Sequence, residues 1–177
     1  MVILHWFIIC CFNRHKFIKM KIGKYLTLAE CLKSETAIRK GIDNTPQGNE
    51  VQAMIKVCAW IYDDLCEHFN CKIPVTSFYR CEKLNKAIGG SATSQHCKGE
   101  AVDLDCDSLT SGLTNKIIFN YIKNNLTYDQ LIWEFGNDNN PDWVHCSVSY
   151  SGQNRMQVLR AFKVKSKTIY SQWVNSN

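Results

Sequence analysis

From Asn49 onward, the apolar residues Val51, Met54, Ile55, Cys58, Ile61, Leu65 and Phe69 recur at three- and four-residue spacing. That period puts them on one buried face, so the long core helix is expected here, with Asn49 as its N-cap. Upstream, Thr27 and Glu30 in LTLAEC form a capping box, which predicts a short helix beginning near Leu28 and fading around Ser34. TAIRKGIDNTPQGN follows, and its Asn44, Pro46 and Gly48 mark turns. Asp63, Asp64, Glu67 and His68 near the end of the long helix read as a solvated face, not as a metal cluster.

After the long helix the spacing changes from helical to alternating. IPVTSFYR, residues 73–80, is rich in β-branched and aromatic residues and predicts a strand that delivers Arg80 at its end. KLNKAI starts a short helix that dissolves at Gly89 and Gly90. AVDLDC suits a central strand. With a side-chain period of two, Ala101, Asp103 and Asp105 point to one face and Val102 and Leu104 to the other. Ile117, Ile118, Tyr121 and Ile122 mark a further helix capped near Thr114. DQLIWEF and DWVHCSVSY are strands separated by the polar loop GNDNNP, and QVLRAFKV is the last expected strand. The fold class is therefore α+β, with helices on one face of a mainly antiparallel sheet.

The 177 residues are 45% hydrophobic and 21% charged, ordinary for one soluble globular domain, expected over residues 20–177. The net charge of +5 is modest and its cations are scattered, which argues against a nucleic-acid partner and leaves room for weak attraction to an anionic wall polymer. Residues 1–19 hold an apolar run of only about nine residues, short of the roughly 20 that span a bilayer, so no stable membrane insertion is expected. Arg14, His15 and Lys16 follow that run where a signal peptide would place small residues. These residues read as an upstream extension or a weak anchor outside the fold. Of ten cysteines, none in a CxxC spacing, most read as packing thiols in a reducing cytosol. A monomer is expected.

The chemistry concentrates in SQHCKGEAVDLD, residues 94–105, where His96 and Asp103 stand seven positions apart across Gly99. Gly99 permits the turn between them, and Ala101 leaves room beside Asp103. Catalytic zinc takes three protein ligands and keeps a fourth position open; His145 in WVHCSV is the natural third. Thiolate is also a strong zinc ligand, so Cys97 and Cys146 compete, although strand alternation turns Cys146 away from the face of His145. Hydrolysis also needs a base. Glu134, between Trp133 and Phe135, would have its proton affinity raised by desolvation, and Asp142, three residues before His145, is the alternative.

These residues resemble the M15 family of zinc peptidases, specifically its D-alanyl-D-alanine carboxypeptidase-like branch common in bacteriophages. The resemblance runs over roughly residues 25–165, and Ser94, His96, Gly99, Ala101 and Asp103 fill the pattern SxHxxGxAxD. The same core is found in the hedgehog signalling domain, so the resemblance implies a hedgehog/DD-peptidase-like fold. It implies zinc ligands at His96, Asp103 and His145 and a catalytic glutamate at Glu134, although some branches place the acid where Asp142 stands. It further implies that Arg80 holds substrate and stabilises the oxyanion, and that Ser94 and Gln95 contact substrate. The activity implied is zinc-dependent hydrolysis of peptidoglycan stem peptides, at a D-Ala-D-Ala or an L-Ala-D-Glu type bond. The protein would then be a phage lysin or wall-processing enzyme, made in the host cytoplasm and acting at the cell wall. A non-catalytic zinc-containing wall- or protein-binding module is the alternative.

Overall fold

A computed structural model describes residues 20–174. The expectation for residues 1–19 lies outside the described residues. In chain order the helices are α1 (Leu28–Leu32), α2 (Glu35–Lys40), α3 (Glu50–Val57), α4 (Asp63–His68), α5 (Glu82–Ala87) and α6 (Asn115–Asn125). The strands are β1 (Val75–Ser77), β2 (Ala101–Leu104), β3 (Gln130–Glu134), β4 (Trp143–Ser147), β5 (Gln157–Val164) and β6 (Lys167–Gln172).

The capping box of α1 is present: the Thr27 side chain accepts from the Glu30 amide, and the Glu30 carboxylate accepts from the Thr27 amide. α2 falls in the segment expected to be turns. Ser34 Oγ caps it by accepting from the Ala37 amide at 3.2 Å, but only Ala37 is buried, so no apolar period announced it. The long helix spans α3 and α4 without a break in the chain path, through a wider π-helical turn at Cys58–Tyr62. That turn brings both Ile61 and Tyr62 into the core, and the Tyr62 hydroxyl donates to the Ile73 carbonyl at 2.5 Å. Asn49 makes no side-chain cap; the Glu50 carboxylate instead accepts from the Gly48 amide at 2.6 Å. The acidic run is only partly solvated. Asp63 is buried and accepts from the Lys24 amide, Asp64 accepts from the Tyr121 hydroxyl, and His68 stacks on the Tyr121 ring at 4.0 Å.

The six strands form one sheet in the order β1-β2-β4-β3-β5-β6, antiparallel throughout except for the β3–β5 pair. The strand expected over residues 73–80 is paired only at Val75–Ser77, because the Tyr79 and Arg80 amides turn away to the carbonyls of Cys31 and His96. β5 is not the last strand. Lys165 and Ser166 both take positive φ, the two-residue turn that matches strand twist, and return the chain as β6. β6 is mostly exposed at the sheet edge, so it carries little alternation of apolar and polar residues to reveal it.

One face of the sheet, bearing Val102, Leu104, Val144, Cys146, Leu131 and Trp133, joins Met54, Leu65 and Phe119 of the helices in the main core. Trp133 and Phe119 meet edge to face at 5.2 Å, which anchors α6 on the sheet. The described cysteines are free thiols, and Cys31, Cys58, Cys66, Cys106 and Cys146 are buried, the packing role their positions implied. No described helix is long and apolar enough to cross a membrane. The opposite face carries a smaller apolar cluster of Ile132, Leu159 and Ala161 and, beside it, the polar side chains of Asp103, Glu134 and His145.

Candidate metal centre

Asp103 and His145 are register partners on the adjacent strands β2 and β4, so their side chains rise together from the face opposite the core. His96 reaches them from the 3-10 turn Gln95–Lys98, which Gly99 ends at φ 71°. A Cβ at Gly99 would collide with the backbone oxygen of Glu50, so both the left-handed conformation and the close approach require glycine. Ala101 is fully buried on the same face as Asp103.

The Phe78 carbonyl accepts from His96 Nδ1 at 2.5 Å, which leaves the Nε2 lone pair aimed at the site. His96 Nε2 lies 3.1 Å from Asp103 Oδ1 and 3.2 Å from His145 Nδ1, and His145 Nδ1 lies 2.8 Å from the same Oδ1. Tetrahedral zinc with ligand bonds of about 2.0–2.1 Å needs donor atoms roughly 3.3 Å apart, so this two-histidine, one-carboxylate set fits it with small movements. Arg80 Nη2 donates to the outer oxygen, Oδ2, at 3.0 Å. Burial drives His96 toward the neutral imidazole that a metal requires. Burial alone would raise the Asp103 carboxyl, but His96 and His145 outweigh it and hold the group well below the ordinary carboxylate range. Among the described residues, His96, Asp103 and His145 form a group able to hold a metal ion.

Glu134 faces Trp143 across β3 and β4 and shares the face of His145. It is only 7% exposed, and burial pushes its carboxyl up to about 7. A cavity of about 900 Å³ opens over this face, with Arg80, His96, Asp103, Glu134, His145 and Tyr170 in its wall. Asp142 is exposed and does not line the cavity; its amide donates to the Glu134 carbonyl. The two acids weighed as the base are thus separated: Glu134 joins the three candidate ligands in the cavity wall and Asp142 does not.

Ser94 and Gln95 line the cavity, and Gln95 Nε2 is engaged by Asp129 at 2.9 Å. Neither cysteine competes for the site. Cys146 is buried on the helix side of the sheet, as alternation requires, and Cys97 is half-buried outside the cavity wall with its thiol pushed up by burial. Sequence reasoning passes over Asp129, Arg155 and Tyr170, which also line the cavity. Arg155 sits in a polar loop with no periodic signal, and Tyr170 lies on the unforeseen β6.

A family model described as Peptidase M15 matches residues 24–147, more than half of the chain and all three candidate ligands. A search of curated proteins returns no match.

Proposed function

The chain belongs to the M15 peptidase family, and from that premise we propose that it is a zinc metallopeptidase that hydrolyses peptide bonds of peptidoglycan stem peptides. The observation that carries this reading is the convergence of His96 Nε2, Asp103 Oδ1 and His145 Nδ1 in the wall of a cavity that also holds the buried Glu134. M15 peptidases are generally zinc-dependent, and the donor set here suits that ion. Bound by these three residues, zinc supplies a Lewis acid that polarises a carbonyl and makes a water more acidic.

The chain's own residues supply the rest. Glu134, with a proton affinity near neutrality, takes a proton from the attacking water and returns it to the departing amine. Burial gives it that affinity, since a solvated carboxylate would be too weak a base. Arg80 turns one oxygen of Asp103 away from the histidines and keeps a cation beside the developing oxyanion. Ser94 and Gln95 border the path by which a peptide reaches the ligands. Asp142, in solvent, has no part in this scheme.

The scissile bond is of the D-Ala-D-Ala or L-Ala-D-Glu type, and the protein serves as a phage lysin or wall-processing enzyme acting at the bacterial cell wall, with residues 20–177 as its single catalytic domain. A module that kept zinc only for structure would need neither a buried carboxylate beside the ligands nor a cavity of about 900 Å³. The test is incubation with purified peptidoglycan, with and without a chelator, and identification of the released fragments by mass spectrometry. Cleavage that persists undiminished after complete metal removal rejects the proposal.

A further inference from the structure

Away from the three ligands, the cavity wall passes over Gln95, Lys98, Glu100, Asp129 and Arg155. Asp129 and Glu100 are buried, and their oxygens are occupied by donors of the protein itself. Asp129 Oδ1 accepts from the Arg155 amide at 3.0 Å and from Arg155 Nε at 2.9 Å. Its Oδ2 accepts from Arg155 Nη2 at 2.5 Å and from Gln95 Nε2 at 2.9 Å. Glu100 accepts from the Tyr150 amide at 2.8 Å and from Gln95 Nε2 at 3.4 Å. The acids at this end therefore face inward and are satisfied.

The cations face the cavity. The Arg155 side chain is 54% exposed although two of its nitrogens are clamped by Asp129. Nη1 makes no hydrogen bond to the described residues. Lys98 is exposed on the same wall. A guanidinium held by a two-point clamp has already lost its rotamer freedom, so its remaining donors are presented at a set angle, the condition under which arginine recognises a carboxylate best. The clamp is also tied to the metal centre. Gln95 adjoins His96, and the Asp129 amide donates at 2.7 Å to the Ser147 carbonyl, on the strand that carries His145.

We propose that Arg155, oriented by Asp129, binds a free carboxylate of an acidic peptide substrate at a point removed from the bond being cleaved, with Lys98 as a supporting cation. This rests on the peptidase reading above and deepens it by naming what the substrate must carry. Arg155 lies beyond residues 24–147, so the family match does not assign it a role. The clamp neutralises part of the guanidinium charge, so selection comes from directed hydrogen bonds more than from long-range attraction.

The test uses the zinc-loaded full chain and synthetic stem peptides in which each free carboxylate is replaced in turn by its amide. One replacement is expected to lower kcat/KM by about tenfold, the worth of a charge-assisted hydrogen bond. Arg155→Gln is expected to bring that acid-to-amide ratio near one, and Arg155→Lys to leave it intermediate. Binding of the same fluorescein-labelled pair to the Glu134→Gln protein gives the ratio independently of turnover. An Arg155→Gln protein that discriminates as well as the parent overturns the inference. Should that variant fail to fold, the parent still decides, because equal cleavage of acid and amide at every position overturns it too. Hydrolysis of none of the peptides by zinc-loaded protein would instead reject the peptidase reading, and this inference with it.

Discussion

Arg80 donates to Oδ2 of Asp103 at 3.0 Å and so leaves only Oδ1 directed at the two histidines. An arginine that sets the angle of a ligand carboxylate contributes to metal affinity without touching the metal, and losing such a partner typically costs about 10- to 100-fold. Arg80→Gln is therefore expected to weaken zinc binding by at least about tenfold. Competition with a chromophoric chelator measures this; an unchanged dissociation constant would leave Arg80 with a substrate role alone.

Removal of a ligand should have a larger effect than removal of its partner. His96→Ala and His145→Ala each leave two of the three donors and are expected to abolish stoichiometric zinc. Metal analysis after gel filtration is the measurement, and one equivalent of zinc in both variants would sink the centre.

Glu134→Gln keeps the shape of the site and removes the proposed base. Zinc should remain bound while kcat falls by about 10²–10⁴-fold, the usual worth of a positioned general base. Asp142→Asn, at an exposed position outside the cavity, should stay within about twofold of the parent. The reverse pattern would transfer the role to Asp142.

The buried Glu134 also predicts a pH dependence of the metal-free protein. Burial raises its carboxyl from an ordinary 4.5 to about 7, so the folded state holds this proton more tightly than the unfolded chain does. The sign follows: the contribution is fully present below about 4.5 and is lost as pH rises through about 7. The loss is at most roughly 3 kcal/mol. Chelator-treated Glu134→Gln should therefore gain in Tm relative to the parent at pH 8 and much less at pH 5. A difference that does not vary with pH would contradict a buried, proton-binding Glu134.

Gly99→Ala tests the turn between the ligands. Positive φ and the collision with the Glu50 backbone act together, so a loss of roughly 2 kcal/mol or more is expected by chemical denaturation. Because the same turn carries His96, zinc affinity should fall as well. A variant with parental stability and zinc affinity would show that the turn relaxes freely.

The face assignments are legible in the order of residues alone. Helical spacing from Val51 to Phe69 locates the core helix, and strict alternation puts Asp103 opposite Val102 and Leu104. The capping residues Thr27 and Thr114 mark helix starts that are present in the fold. By contrast, α2 buries a single residue and β6 is an exposed edge, so neither leaves a hydrophobic period to read. The π-helical turn at Cys58–Tyr62 is invisible to a count of apolar positions, because one widened turn changes the phase without changing the residue types.

By itself, then, the sequence determined what short-range sterics and solvation determine: which segments with an apolar period are helical or extended, which side of each is apolar, and which residues have metal-binding chemistry. Which of those residues meet was decided only by the tertiary structure. The strand order β2-β4-β3 sets Asp103 beside His145 and places Glu134 on the same face, while Asp142, three residues from His145 in sequence, ends in solvent. The clamp of Asp129 on Arg155 likewise joins residues 26 positions apart. Such contacts depend on register and chain closure over long separations, which no local pattern of residues encodes.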